Sequence, residues 1–228
     1  MAKRLNPSSV KAILGLWQAY FAEGRYHIAR QLSQECTGIT PQSQLAWLAH
    51  GLSLLALGRH SEARVASMSA LEIDRGNPDG YWLLGAAAVS TGDYQDALGH
   101  FEKALSLDAN HRMSLVAIPI LLSCCPKEAI RDGKRALILA SRACRLTEGK
   151  DAHALMAKAC AHAECGDYLS AIQVARESLA LVSSGSAFHE GYKEILSCLE
   201  QSRPFRFSPG PGLTRSLARP YFDRPGGR

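Results

Sequence analysis

Apolar and polar residues repeat along most of the chain with the period of an α-helix. One set marks the face of the first helix at spacings of three and four: Ile13, Leu14, Trp17, Tyr20 and Phe21. The same period continues to about residue 202, with short breaks. The pattern predicts helices at about 8–22, 26–37, 42–57, 60–73, 78–91, 94–107, 112–124, 131–147, 151–165, 168–182 and 187–202.

Four of the breaks share one composition, a glycine followed by a polar residue and then by tyrosine or histidine. They begin at Gly24, Gly58, Gly92 and Gly166, at intervals of 34, 34 and 74 residues. Glycine tolerates the left-handed backbone that follows many helices, so each break predicts a tight turn between two helices. The interval of 74 predicts one longer, degenerate unit after Gly92, and the fixed period predicts a repeat architecture.

An alanine follows each of these glycines by five residues, and we expect it where two helices pack closely. The four are Ala29, Ala63, Ala97 and Ala171. The third unit also carries Tyr81, Leu84, Gly85, Ala88, Ala97, Phe101 and Ala104 at the spacing W-x2-L-G-x2-Y…A-x3-F…A. This spacing resembles the tetratricopeptide repeat, a helix–turn–helix unit of 34 residues. The second unit resembles it through Trp47, Gly51, Leu54, Ala63 and Ala70, and the first through Leu16, Tyr20, Ala29 and Pro41.

The degenerate unit contains the sequence Leu-Leu-Ser-Cys-Cys-Pro at 121–126 and Arg-Asp-Gly-Lys-Arg-Ala at 131–136. It resembles a variant tetratricopeptide unit of large bacterial repeat proteins. That resemblance implies a longer turn between its two helices, and it implies a bacterial source.

The resemblance implies an all-α fold, a right-handed superhelical solenoid of about five tetratricopeptide-like hairpins with a C-terminal capping helix. The expected organisation is a lead at 1–7, a repeat domain at 8–183, a capping helix at 184–202 and a tail at 203–228. The repeats are expected at about 8–41, 42–75, 76–109, 110–150 and 151–183. The tail is rich in proline, glycine and arginine, so we expect it to be disordered or to lie over the repeats.

The net charge of +5 belongs wholly to this tail, which has six arginines and one aspartate. Positions 1–202 hold twenty basic and twenty acidic residues, so the repeat body is balanced. The high isoelectric point of the whole chain therefore says nothing about the charge of the repeat domain.

Tetratricopeptide proteins typically bind a peptide or helix on a concave face lined by the first helix of each pair. By register, the resemblance implies these partner-binding groove residues: Leu14, Gln18, Leu48, Leu52, Leu55, Trp82, Ala86, Val89, Val116, Ile120, Met156 and Cys160. The face is mostly apolar, so it suits an apolar or amphipathic segment. The alternative is that helix packing, or the tail itself, covers these residues.

The tail is the second candidate for binding, because it interleaves arginine with aromatic residues: Arg203, Phe205, Arg206, Phe207, Arg215, Arg219, Tyr221, Phe222 and Arg224. Such a segment could bind single-stranded nucleic acid, an anionic lipid or an acidic protein. It could also be a solvated chain end, or it could occupy the chain's own groove and inhibit binding.

Catalytic chemistry is not predicted. The eight histidines are scattered, and the seven cysteines lack the paired spacing of a metal or disulfide framework, which favours reduced core cysteines. No signal peptide is predicted, since Lys11 interrupts the first apolar run. No membrane span is predicted either, since the uncharged stretch 41–58 contains five polar residues and matches a repeat helix. We therefore expect a cytoplasmic, non-catalytic adaptor or scaffold without a cofactor, and, as the alternative, a tail that binds nucleic acid or an acidic surface.

Overall fold

The computed structural model describes residues 7–186 and 188–207, with side chains from Val10 onward, and this part of the chain is helical without strands. Eleven α-helices lie within these residues: α1 Pro7–Ala22, α2 Tyr26–Ile39, α3 Gln44–Ala56, α4 His60–Ile73, α5 Pro78–Thr91, α6 Tyr94–Leu107, α7 Arg112–Cys124, α8 Gly133–Leu146, α9 Ala152–Glu164, α10 Tyr168–Ala180 and α11 His189–Glu200. Each predicted helix is present, with ends about two residues from the predicted ones. The all-α class is confirmed.

The helices pack as hairpins in two compact units, whose described residues run from 7 to 107 and from 108 to 207. In the first unit, α1 packs on α2, α3 on α4 and α5 on α6, and each hairpin also packs on the next. In the second unit, α7 packs on α8 and α9 on α10, and α11 packs on α10. The first helices of the two hairpins in this second unit, α7 and α9, also lie against each other.

The four predicted glycine turns close the ends of α1, α3, α5 and α9 in the same way. Gly24, Gly58, Gly92 and Gly166 have φ of 77°, 77°, 82° and 84°. In each turn the glycine N–H and the next residue's N–H donate back to carbonyls of the last helical turn; Arg25 N, for example, lies 2.9 Å from Tyr20 O. This is the Schellman motif, which needs a left-handed residue and therefore favours glycine.

Small residues let the two helices of a hairpin approach each other. Ala29, Ala63, Ala97 and Ala171 are all fully buried, as the sequence predicts. Gly85 of α5 lies directly against α6, because an added Cβ would lie 2.6 Å from the Phe101 ring and 3.0 Å from Ala97 O. The third hairpin therefore leaves no room for a side chain at this position.

The fourth hairpin departs from the others at its turn. Eight residues, 125–132, separate α7 from α8, including a single 3₁₀ turn at Glu128–Ile130, whereas two or three residues separate the helices of the other hairpins. The longer turn implied by the bacterial variant is present. Pro119 lies inside α7, which continues through it as one helix although proline has no N–H to donate to the preceding turn.

The last helix, α11, covers an apolar cluster formed by α9 and α10. Phe188, Tyr192 and Leu199 are buried against residues such as Met156 and Val174. The Tyr192 hydroxyl is hydrogen-bonded to Nδ1 of the buried His153. This hydrogen bond orients α11 on an otherwise apolar surface.

Candidate interaction site

In the first unit, most of the predicted groove residues are buried. Leu48, Leu52, Leu55, Trp82, Ala86 and Val89 are at most 4% exposed, whereas Leu14 is half-buried and Gln18 exposed. Their neighbour Trp17 donates its indole N–H to Ser53 Oγ at 2.8 Å, a buried contact between α1 and α3. A partner could reach few of these residues in this structure, and their role in binding stays a prediction.

In the second unit, the predicted positions lie on α7 and α9. Val116, Met156 and Cys160 are buried, and Ile120 is half-buried. One helical turn beyond Ile120 and Cys160 stand Cys124 and Glu164, at the C-terminal ends of the two helices. This end of the α7–α9 face is where the structure places a polar site.

The C-terminal carbonyls of α7 are not closed by a glycine turn. Leu122 O accepts the N–H of Asp132 across the long turn, at 2.9 Å. The next two carbonyls accept from residues some 83 positions further along the chain. Ser123 O lies 2.8 Å from Nη1 of Arg206, and Cys124 O lies 3.1 Å from the main-chain N of Phe207. Residues 203–207 therefore supply the donors that this helix end lacks.

The Glu164 carboxylate completes the site. Its side chain is 14% exposed and lies between two arginines, with Arg131 Nε 2.9 Å from Oε1 and Arg206 Nη2 2.6 Å from Oε2. Arg131 also donates to Cys125 O at 3.2 Å, and its own side chain is 15% exposed. The partly negative C-terminus of α7 adds to the attraction for the Arg206 guanidinium.

The chain reaches this site through a further Schellman-type turn, in which a serine takes the glycine position. Ser202 has φ 53°, its N–H donates to Leu199 O at 2.8 Å, and Arg203 N–H donates to Cys198 O at 3.0 Å. Beyond the turn, residues 203–207 have no regular secondary structure, and Phe207 is only 5% exposed. The turn thus directs five residues onto the ends of α7 and α9.

The thiols near this site are protonated groups of the packed interior. A hydrogen bond with Cys160, together with burial, raises the pKa of the Cys124 thiol well above its usual value. Burial raises the pKa of Cys125 as well. All seven cysteines of the chain are free, and within residues 7–186 and 188–207 no three metal-ligating side chains come together. A raised pKa keeps these thiols protonated, so they are poor nucleophiles and metal ligands.

Sequence reasoning found part of this site. Arg206 and Phe207 were named as tail residues; Phe205 is half-buried beside them, and Arg203 is exposed. Arg215, Arg219, Tyr221, Phe222 and Arg224 lie outside the described residues. Glu164 and Arg131 were missed, and the signal that could have found Glu164 is an acidic residue in register with the apolar positions Met156 and Cys160.

Comparison with known proteins gives the class. Stacked helical hairpins with glycine turns define an α-helical repeat protein. Two family profiles, each described as Tetratricopeptide repeat, match residues 45–77 and residues 78–111. Residues 45–111 of the chain are therefore tetratricopeptide repeats.

Individual relatives are distant. The human Protein O-mannosyl-transferase TMTC3 is 28% identical over 123 residues, which are 53% of this chain and 13% of that protein. The chain thus spans about an eighth of the length of this curated relative. Among solved structures, TTC0263, a thermophilic tetratricopeptide protein of Thermus thermophilus, aligns with a TM-score of 0.68 at 16% identity, over 81% of this chain and 97% of that one. YrrB, described as a tetratricopeptide protein with an unusual peptide-binding site, aligns with a TM-score of 0.51 at 14% identity, over 80% and 90%. At such identities the structures support the fold alone.

None of the helices described here is long and apolar enough to cross a membrane.

Proposed function

We propose that the protein is a non-catalytic scaffold that binds a segment of a partner protein along the first helices of its repeats. The observation that carries the proposal is the placement of residues 203–207, a non-helical stretch of chain seated on the ends of α7 and α9. It is held by a main-chain hydrogen bond, a charged side chain and a buried aromatic ring. Main-chain hydrogen bonds and side-chain pockets are also the contacts by which peptide-recognition domains hold extended segments of their partners.

The fold and its relatives support the same reading. Tetratricopeptide repeats serve generally as scaffolds for other proteins, and YrrB is described by its peptide-binding site. The alternative, nucleic-acid binding through the basic tail, is weakened because Glu164 and Ser123 already hold the Arg206 guanidinium. Binding through the tail would have to depend on arginines outside the described residues.

The test needs a groove variant that can fold. Glutamate at Leu52 or Trp82 would bury a charge in the core, because these side chains are at most 2% exposed. Ile120 is only half-buried on α7, and Ile138 on α8 is 68% exposed. Ile120→Glu therefore changes the proposed binding face, and Ile138→Glu is the matched control on the second helix of the same hairpin.

We expect phage-displayed random peptides selected on the full-length protein to share a motif. Fluorescence anisotropy of one such peptide should show binding at least about tenfold weaker to Ile120→Glu and unchanged binding to Ile138→Glu, since one introduced charge opposes an apolar contact. Circular dichroism checks that both variants are folded. Selection without a common motif, or equal affinity for both variants, would refute the proposal.

A further inference from the structure

The ends of α7 and α9 present acceptors for an arginine side chain and for the main-chain N–H of the next residue, which here is the buried Phe207. Ser123 O and Glu164 Oε2 accept from two different nitrogens of the Arg206 guanidinium, at 2.8 and 2.6 Å. Cys124 O accepts the main-chain N–H of the residue that follows, at 3.1 Å. A lysine has a single nitrogen and cannot reproduce the planar fork, so the contacts are selective for arginine.

The repeat body itself arranges these acceptors. Arg131 contacts Glu164 Oε1 at 2.9 Å from within the long turn, so it orients the carboxylate whether or not Arg206 is in place. The two carbonyls belong to the last turn of a regular helix, α7, which fixes their direction. No glycine turn follows this helix, so the residues of the turn itself donate no hydrogen bond to Ser123 O or Cys124 O. The site is therefore pre-organised, which lowers the cost of binding a ligand.

The segment that fills the site, residues 203–207, has no regular secondary structure. Arg203 is exposed, and Pro204, Phe205 and Arg206 are only partly buried. The chain enters this stretch through Ser202, a non-glycine residue at φ 53°, a conformation that side chains disfavour. A segment without regular secondary structure that is joined through a strained turn is one that a competing ligand can displace.

We infer that Ser123 O, Cys124 O and Glu164 form a receptor for an arginine–aromatic dipeptide, which Arg206 and Phe207 occupy in cis and which a partner protein with the same dipeptide in a non-helical segment enters by displacing them. The inference rests on the proposed function and specifies the partner. The segment 203–207 then acts as a built-in competitor that sets how strongly a partner must bind.

The experiment uses the full-length protein with its own ligand removed by Arg206→Ala and Phe207→Ala together. The probe is a fluorescein-labelled peptide, Arg-Pro-Phe-Arg-Phe-Ser, the sequence of residues 203–208. We expect this peptide to bind the double variant at least about tenfold more tightly than the wild type, whose site is already filled. A peptide with lysine in place of its second arginine should bind at least about tenfold more weakly to the double variant.

A third substitution locates the contact. Glu164→Gln in the double variant should reduce peptide binding about tenfold or more, whereas Glu200→Gln, in the exposed pair with Arg176, should leave it unchanged. Full-length Arg206→Lys serves as a milder second background, and thermal unfolding checks that each variant is folded. Peptide binding to this background above its binding to the wild type would support the inference.

Three results would overturn the inference. Equal peptide binding to wild type and double variant would show that residues 203–207 do not compete. No binding to the double variant up to millimolar peptide would show that the site is not a receptor. A wild-type dimer that the peptide dissociates would identify a second copy of the chain as the occupant. If peptides selected by phage display still bind in the first two cases, the scaffold function stands and only this inference fails.

Discussion

The first helices of the third and fourth hairpins, α5 and α7, end in different ways. Gly92 follows α5 with φ 82°, and its N–H and that of Asp93 donate to Val89 O and Ala88 O at 3.2 and 3.0 Å. Cys125 follows α7 with φ −60° and ψ 134°, so the chain leaves the helix without a left-handed turn. The carbonyls of Ser123 and Cys124 are instead satisfied by Arg206 and Phe207.

The difference shows how a longer turn leaves helix-end carbonyls to be satisfied by another segment of the chain. In a short glycine turn the chain closes its own helix end, and nothing remains to recognise a ligand. In the eight-residue turn after α7 the chain moves away, Arg131 comes to lie beside Glu164, and two carbonyls become acceptors for another segment. When a degenerate repeat lacks the glycine turn, the carbonyls at its helix end can therefore accept hydrogen bonds from another segment.

The largest expected effect tests the close packing of the standard hairpin. Gly85→Ala should lower the free energy of unfolding by about 2–3 kcal/mol, because the new methyl group would meet Phe101 and a main-chain carbonyl. Gly99→Ala on α6 is the control, since no atom outside the adjoining helix backbone lies within 4 Å of its added Cβ, and it should stabilise by about 0.5–1 kcal/mol. Urea unfolding of both variants gives the measurement.

The two glycine substitutions should therefore change the free energy of unfolding in opposite directions. A loss below about 0.5 kcal/mol for Gly85→Ala would mean that α5 and α6 can move apart at little cost. The corresponding position of α7, 34 residues after Gly85, is Pro119, so that helix has room for a side chain where α5 has none. A small loss for Gly85→Ala would mean that the two positions do not differ in this way.

An intermediate effect is expected at the open helix end. Glu164→Gln should lower the free energy of unfolding by about 1–2 kcal/mol, because the amide offers one arginine an N–H where the carboxylate offered an oxygen. Glu200→Gln, in a pair whose side chains are 65% and 45% exposed, should cost less than about 1 kcal/mol.

Hydrogen exchange tests whether Glu164 holds residues 203–207 in place, separately from its contribution to overall stability. We expect the amide of Phe207 to exchange at least about tenfold faster in Glu164→Gln, while the amide of Asp93 in the closed glycine turn is unaffected. Unchanged protection at Phe207 would show that the carboxylate does not hold the segment in place.

Local sequence rules predict the fold well because each rule acts within a few residues. The glycine turns, the alanines five positions later and the ends of the helices all follow from periods and turn chemistry that neighbouring residues determine. The turn after α7 also follows, through the resemblance of residues 121–136 to a variant repeat. Burial of the predicted groove positions does not follow, because it depends on how neighbouring helices pack.

The site on α7 and α9 shows where sequence reasoning ends. The contact between Glu164 and Arg206 joins residues 42 positions apart, and the contact between Ser123 and Arg206 joins residues 83 apart. Neither spacing belongs to any helical or repeat period, so no local pattern indicates these contacts. The arginine and the phenylalanine could be named from composition, and Glu164 from its register on α9, but the contacts that join them could not.

The smallest expected effect concerns the turn that directs the segment onto this site. Ser202→Gly should raise the free energy of unfolding by about 0.5–1 kcal/mol, because glycine adopts φ 53° without the steric cost that serine bears. Gly92→Ala places a side chain at φ 82° in the equivalent turn after α5 and should lower it by about 1 kcal/mol. Thermal unfolding of the two variants compares the turns directly. If Ser202→Gly instead destabilises the protein, the serine side chain contributes to the turn, and the strain that makes residues 203–207 displaceable is smaller than the backbone angle suggests.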